Sequence, residues 1–189
     1  MAGGEYLLAL LAIITGLAIS DMVVSLHGLL LNRRLVKWDW LTLISAAFIF
    51  ILIVTSWGVS FRSIHQDGIS PPVWWFLLVL CQVIPFYLAA RAVLPDHVRV
   101  GDEVALADHY AFISRYFWAA ISLSAVNFLA LAVFYGGLRI FIEEESGTAV
   151  ALLLMAPLII WPDRRLHRIL VPILFVILCI SALPTRLLG

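Results

Sequence analysis

The sequence predicts an all-α, polytopic membrane protein: a bundle of six transmembrane helices with both termini on the outer side. Three observations predict it. The 189 residues are 63% apolar and only 13% charged, with a mean hydropathy of +1.07. The apolar residues fall in runs of about 20, the length a helix needs to cross a bilayer. The basic residues gather in alternate loops. A soluble domain is about half apolar and about a quarter charged, and a soluble fold of this size has too little interior for so many apolar side chains. The composition excludes a water-soluble enzyme, a nucleic-acid-binding domain and a disordered chain.

Six runs are expected to span, at about 6–31, 40–61, 72–94, 117–138, 147–161 and 166–183, all within one transmembrane domain. Helices are expected throughout, because lipid satisfies no backbone groups and the runs lack the alternation of barrel strands. The first run is too long for the apolar core of a cleaved signal and lacks a basic start, so it reads as a retained span. The fifth run is short and contains Pro157. It crosses only with neighbouring residues or local thinning, and a re-entrant hairpin is the alternative. The segment 95–114 reads as the one sizeable loop, cytoplasmic in this scheme. Asp102 is a plausible cap for a helix running on into the fourth span. Val100, Val104, Ala107 and Ala111 suggest a helical face along the interface.

Nine basic residues mark one side: Arg33, Arg34 and Lys37; Arg91, Arg99 and Arg115; Arg164, Arg165 and Arg168. The other side has Arg62, Arg139 and Arg186, with the acidic run Glu143, Glu144 and Glu145. The positive-inside rule makes the nine-residue side cytoplasmic. Trp38, Trp40, Trp118 and Trp161 are expected at that interface, and Trp57, Trp74 and Trp75 at the outer one. Glu143 to Glu145 read as the solvated start of the fifth helix, where acids suit the dipole. The arginines at 164–168 read as a topology anchor and anionic-lipid contact. Cys81 and Cys179, both in apolar runs, read as reduced, small apolar residues.

Asp21 is the one obvious acid deep in a span, ten residues before Leu31, where a charge costs about 2.5–3.5 kcal/mol to insert. Ser25 and Gly28 share its stripe. Ala12, Gly16 and Ser20 form a small-residue row, continued by His27, that suits close approach of another helix. The first helix is therefore expected to be the central packing element. Asn127 lies at a depth similar to Asp21 and Gln82 somewhat nearer the outside. Tyr87, Arg91, Arg115 and Tyr116 lie lower, near His27. One reading is an ion or proton path through Asp21, Ser25, His27, Gln82, Asn127, Arg91 and Arg115, since a carboxylate at that depth can bind a cation or exchange a proton. The other is structural: Asp21 pairs with an arginine, a tyrosine or a backbone group and fixes helix packing.

His27 with His167 or His109 is the pair best placed to hold a haem or pigment, though no H-x-x-x-H or C-x-x-C-H spacing supports a cofactor or metal. No nucleophile–base set and no glycine-rich phosphate loop is present, so no enzyme is expected. The expected role is transport, as an ion or proton channel or a small-solute transporter. A scaffold or accessory subunit of a membrane complex, or a haem-binding subunit, is the alternative. A bundle this small is expected to oligomerise, with the lipid bilayer and not nucleic acid as its surroundings.

The stretch SDMVVSLHGLLLNRRLVKWDWL, then Trp57, Pro95 and DHYAFISRYFW, resembles a group of short multi-pass bacterial inner-membrane proteins. The likeness covers roughly the first 120 residues. It implies a bacterial plasma membrane and carries no substrate or catalytic residue with it. The chain does not look like a microbial rhodopsin, because no span carries a Schiff-base lysine. It does not look like a voltage sensor, because no span carries arginines at every third position.

Overall fold

The computed structural model describes residues 2–67, 73–95, 103–144 and 146–182. They form six helices: α1 (Ala2–Leu31), α2 (Trp40–Asp67), α3 (Val73–Val93), α4 (Leu106–Glu144), α5 (Ser146–Ile160) and α6 (Arg164–Ala182). Two strands of two residues each, β1 (Val36–Lys37) and β2 (Val104–Ala105), pair in parallel. Five helices are long and apolar enough to cross a membrane, and the shorter α5 is apolar as well. The protein is therefore a helical membrane protein. Fifteen residues carry α5 only about 22 Å.

Neighbouring helices run in the order α1, α3, α4, α5, α6, α2 and back to α1, and α2 also packs on α3 and α4. Leu7, Leu11, Ala18, Met22, Ser25 and Leu29 of α1 are buried. Their spacing of four, seven, four, three and four follows one helical stripe. This corrects the expectation for α1. Ala12, Gly16, Ser20 and His27 lie on its exposed face, and a Cβ added at Gly16 would meet nothing within 4 Å. The larger apolar stripe makes more dispersion contacts, so it decides which face turns inward. α2, α3 and α4 gather more neighbours than α1 does, and α2 meets α4 in the core. Ile49, Phe117, Trp118 and Ile121 are 0–1% exposed at their contact, where the rings of Phe48 and Trp118 lie 5.5 Å apart.

Helix ends follow local chemistry. Asn32 closes α1: its backbone and side-chain amides both donate to the Gly28 carbonyl, at 3.2 and 2.9 Å. Asp39 caps α2, accepting from the Thr42 N–H at 3.4 Å and the Thr42 hydroxyl at 3.2 Å. Asp163 caps α6, accepting from the Arg165 N–H at 2.8 Å.

In the 95–114 segment residues 106–114 are helical and run on into the fourth span, as expected, but Val104 and Ala107 do not share a helix face. Val104 is in a strand, donating from its N–H to the Leu35 carbonyl at 2.9 Å. Pairing with Leu35 and Val36 satisfies backbone groups that a lone interfacial turn would leave to water. Glu103 and Lys37 form an ion pair beside it. Its hydrogen bond and charge raise the Lys37 pKa, and the Lys37 ammonium in turn lowers that of Glu103. Glu143 and Glu144 close α4 rather than open α5. A dipole term of a few tenths of a kcal/mol is too small to end a long helix early. Val100, Asp102, Arg99, Glu145 and Arg186 lie outside the described residues.

Candidate functional site

The α1/α3 seam carries the first group of polar side chains. α1 and α3 pack together, which brings Tyr87 to Asp21. The Tyr87 hydroxyl donates to Asp21 Oδ2 at 3.2 Å. Arg91, one turn on along α3, donates to the Tyr87 oxygen at 3.3 Å. Asp21 and Tyr87 are half-buried, Ser25 is buried and Arg91 is exposed. The sequence reading grouped these four residues, and the structure joins three of them in a chain. His27 and Arg115 are exposed, and among the described residues no hydrogen bond ties either to Asp21.

Tyr87 also lines a small cavity where α1, α2 and α3 meet. Thr15, Ser56 and Ser60 are among its lining residues, and the rest of the lining is apolar or aromatic. Its volume, about 10 Å³, is on the order of one water. Tyr87 thus borders a water-sized space and, through its hydroxyl, meets a carboxylate.

Gln82 and Asn127 meet each other instead of Asp21. Asn127 Nδ2 lies 3.1 Å from both Gln82 Oε1 and the Leu78 carbonyl. The Ser124 hydroxyl donates to the Gln82 carbonyl at 2.9 Å. These bonds cross the α3/α4 seam. Gln82 and Tyr87 are five residues apart, about 140° around α3, so one helix cannot turn both towards the same neighbour. The proposed path through Asp21 and Asn127 is thereby split over two seams.

A third group, at the end of the bundle where Asp39, Leu106 and Arg164 lie, was not anticipated. Arg164 Nη2 is 2.6 Å from Asp39 Oδ1, and the Thr42 hydroxyl also reaches the Leu106 carbonyl at 3.1 Å. Beside them His167, 2% exposed, stands 2.8 Å from the Tyr110 oxygen through Nδ1 and 3.3 Å from the Trp161 carbonyl through Nε2. A carbonyl only accepts, so Nε2 carries the proton. Nδ1 then accepts from Tyr110 in the neutral ring. The Trp118 N–H donates to the same Tyr110 oxygen at 3.0 Å. Trp118, expected in an interfacial belt, is fully buried because its N–H has this partner inside. Trp38, Trp40, Trp57, Trp74 and Trp161 are exposed. An aspartate directly before a helix start was the readable signal for Asp39. The pairing of Tyr110, Trp118 and His167 had none.

His167 is thus committed on both ring nitrogens, and His109 points Nε2 at the Ala92 carbonyl at 3.0 Å. Neither is described as meeting His27. Among the described residues no three His, Cys, Asp or Glu side chains gather as metal ligands do. Cys81 and Cys179 are free thiols.

Fold and seams together define a polytopic helical membrane protein whose polar side chains are held between helices. No protein-family model, curated protein or solved structure matches the chain.

Proposed function

We propose that the protein is a membrane transport protein, a proton or small-cation channel or carrier, in which Asp21 is the central group. The supporting observation is the position of Tyr87: the residue borders the cavity and its hydroxyl donates to the half-buried Asp21. Arg91 holds the same oxygen from the other side. A water in that cavity would extend the chain from the Thr15, Ser56 and Ser60 hydroxyls to the carboxylate. Tyr87 can pass on a proton, because a phenol both donates and accepts. Arg91 cannot, because its guanidinium stays charged, so it orients the phenol.

In this reading all six helices span, α5 with local thinning of the bilayer. Both termini are outside, and the end carrying Arg33, Arg34, Arg164 and Arg165 faces the cytoplasm of a bacterial inner membrane. A bundle with so small a cavity works as a homo-oligomer.

Proton and cation flux into proteoliposomes tests the reading. Asp21→Asn is expected to abolish flux and Tyr87→Phe to slow it. Undiminished flux in a folded Asp21→Asn protein removes Asp21 from the mechanism. Absence of flux in the native protein leaves the second reading, a scaffold or accessory subunit. That reading is favoured by the Gln82–Asn127 and Asp39–Arg164 bonds, which tie helix to helix.

A further inference from the structure

The start of α6 divides its basic residues between two faces. Arg164 and His167 turn to the bundle, onto Asp39 and Tyr110. Arg165 and Arg168 are exposed and, three residues apart, project on one side. Among the described residues no acidic side chain is paired with either. Asp163 is close along the chain, but its carboxylate is engaged by the backbone N–H of Arg165. Of the other charged groups at this end, Lys37 is matched by Glu103, whereas Arg33 and Arg34 are exposed.

The same face continues as an apolar strip. Ile169, Ile173, Val176 and Ile180 are 62%, 43%, 54% and 64% exposed, and their spacing of four, three and four follows one side of the helix. From Arg165 to Ile180 the strip runs about 22 Å, longer than one hydrocarbon leaflet of roughly 15 Å. Trp161, 58% exposed, sits just before the arginines, as an indole at headgroup level does.

We propose that this face of α6 binds an anionic phospholipid of the surrounding bilayer. Arg165 and Arg168 take the phosphate, and an acyl chain lies along Ile169, Ile173, Val176 and Ile180. Guanidinium forks match phosphate oxygens in pairs. The added charge of Arg33 and Arg34 at the same end selects a headgroup with net negative charge. The unbroken apolar strip beneath the arginines selects a lipid over a soluble phosphate. The site stands independently of transport.

Native mass spectrometry of the protein released from vesicles of equal phosphatidylglycerol and phosphatidylcholine tests the proposal. The intact protein is expected to retain phosphatidylglycerol preferentially. Arg165→Gln with Arg168→Gln is expected to lower that retention roughly thirtyfold. Arg165→Lys with Arg168→Lys, which keeps the charge, is expected to retain an intermediate amount. Equal retention of the two lipids by the native protein overturns the proposal whatever the variants do. Undiminished retention by the folded glutamine variant overturns it as well. Displacement of the bound lipid by soluble glycerol phosphate at matched concentration overturns the choice of a lipid as occupant.

Discussion

Arg164 of α6 and Asp39, the residue that caps α2, face each other at 2.6 Å, joining two helices 125 residues apart in sequence. The pair is asymmetric: the Asp39 side chain is 8% exposed and that of Arg164 is 42% exposed. Removing the arginine strands a buried carboxylate that keeps only its Thr42 donors. Removing the aspartate's charge frees an arginine that can turn to solvent. Arg164→Gln is therefore expected to destabilise by about 2 kcal/mol, discounted from a fully buried pair for solvent screening. Asp39→Asn is expected to cost about 1 kcal/mol. Equilibrium unfolding in detergent checks the order, and equal or reversed costs would contradict the asymmetry.

Tyr110→Phe removes one oxygen and leaves two buried groups without it, the Trp118 N–H and His167 Nδ1. An orphaned buried polar group costs about 1–3 kcal/mol. The expected loss is at least the upper part of that range, read from the unfolding midpoint and from a shift in Trp118 emission. Loss of emission change with unchanged stability would mean that water replaces the hydroxyl.

Acid is expected to loosen the clip between β1 and β2, and the signs follow from the two shifts. The Glu103 pKa is lowered by Lys37, so its contribution is present above the ordinary carboxylate range and is lost as pH falls through the lowered value. The Lys37 pKa is raised by Glu103; its contribution is present below the ordinary lysine value and is lost as pH rises through the raised one. Between these limits the clip holds. Exchange of the Val104 amide, corrected for its intrinsic pH dependence, should accelerate as pH falls below the ordinary carboxylate range and much less so at high salt. In Glu103→Gln that acid limb should vanish.

The α3/α4 seam predicts a coupling. Gln82→Leu and Asn127→Leu each remove a bond that crosses between spans, and each is expected to cost about 1 kcal/mol. The double variant is expected to cost less than the sum by about 0.6 kcal/mol, because both changes break the same Gln82–Asn127 bond. Strict additivity in a double-mutant cycle would show that the bond contributes nothing.

Composition, run length and the caps at Asn32, Asp39 and Asp163 are local properties. Such properties were enough to place six helices in order, although α2 runs on to Asp67 and α4 starts as early as Leu106, because an apolar run must satisfy its own backbone wherever it packs. Asp21 was legible as the carboxylate set deep in a span, and its neighbours Tyr87 and Arg91 as residues at the right depth. Partnership was not legible, because it depends on rotation about each helix axis, and rotation is decided by the sum of contacts with every neighbour at once. Only the packed bundle could turn Asn127 to Gln82 rather than Asp21. Only packing could expose the small row of α1 and bring Trp118 inside to Tyr110. It also drew Val104 into a strand with Val36, a contact across 68 residues of chain that no local pattern encodes.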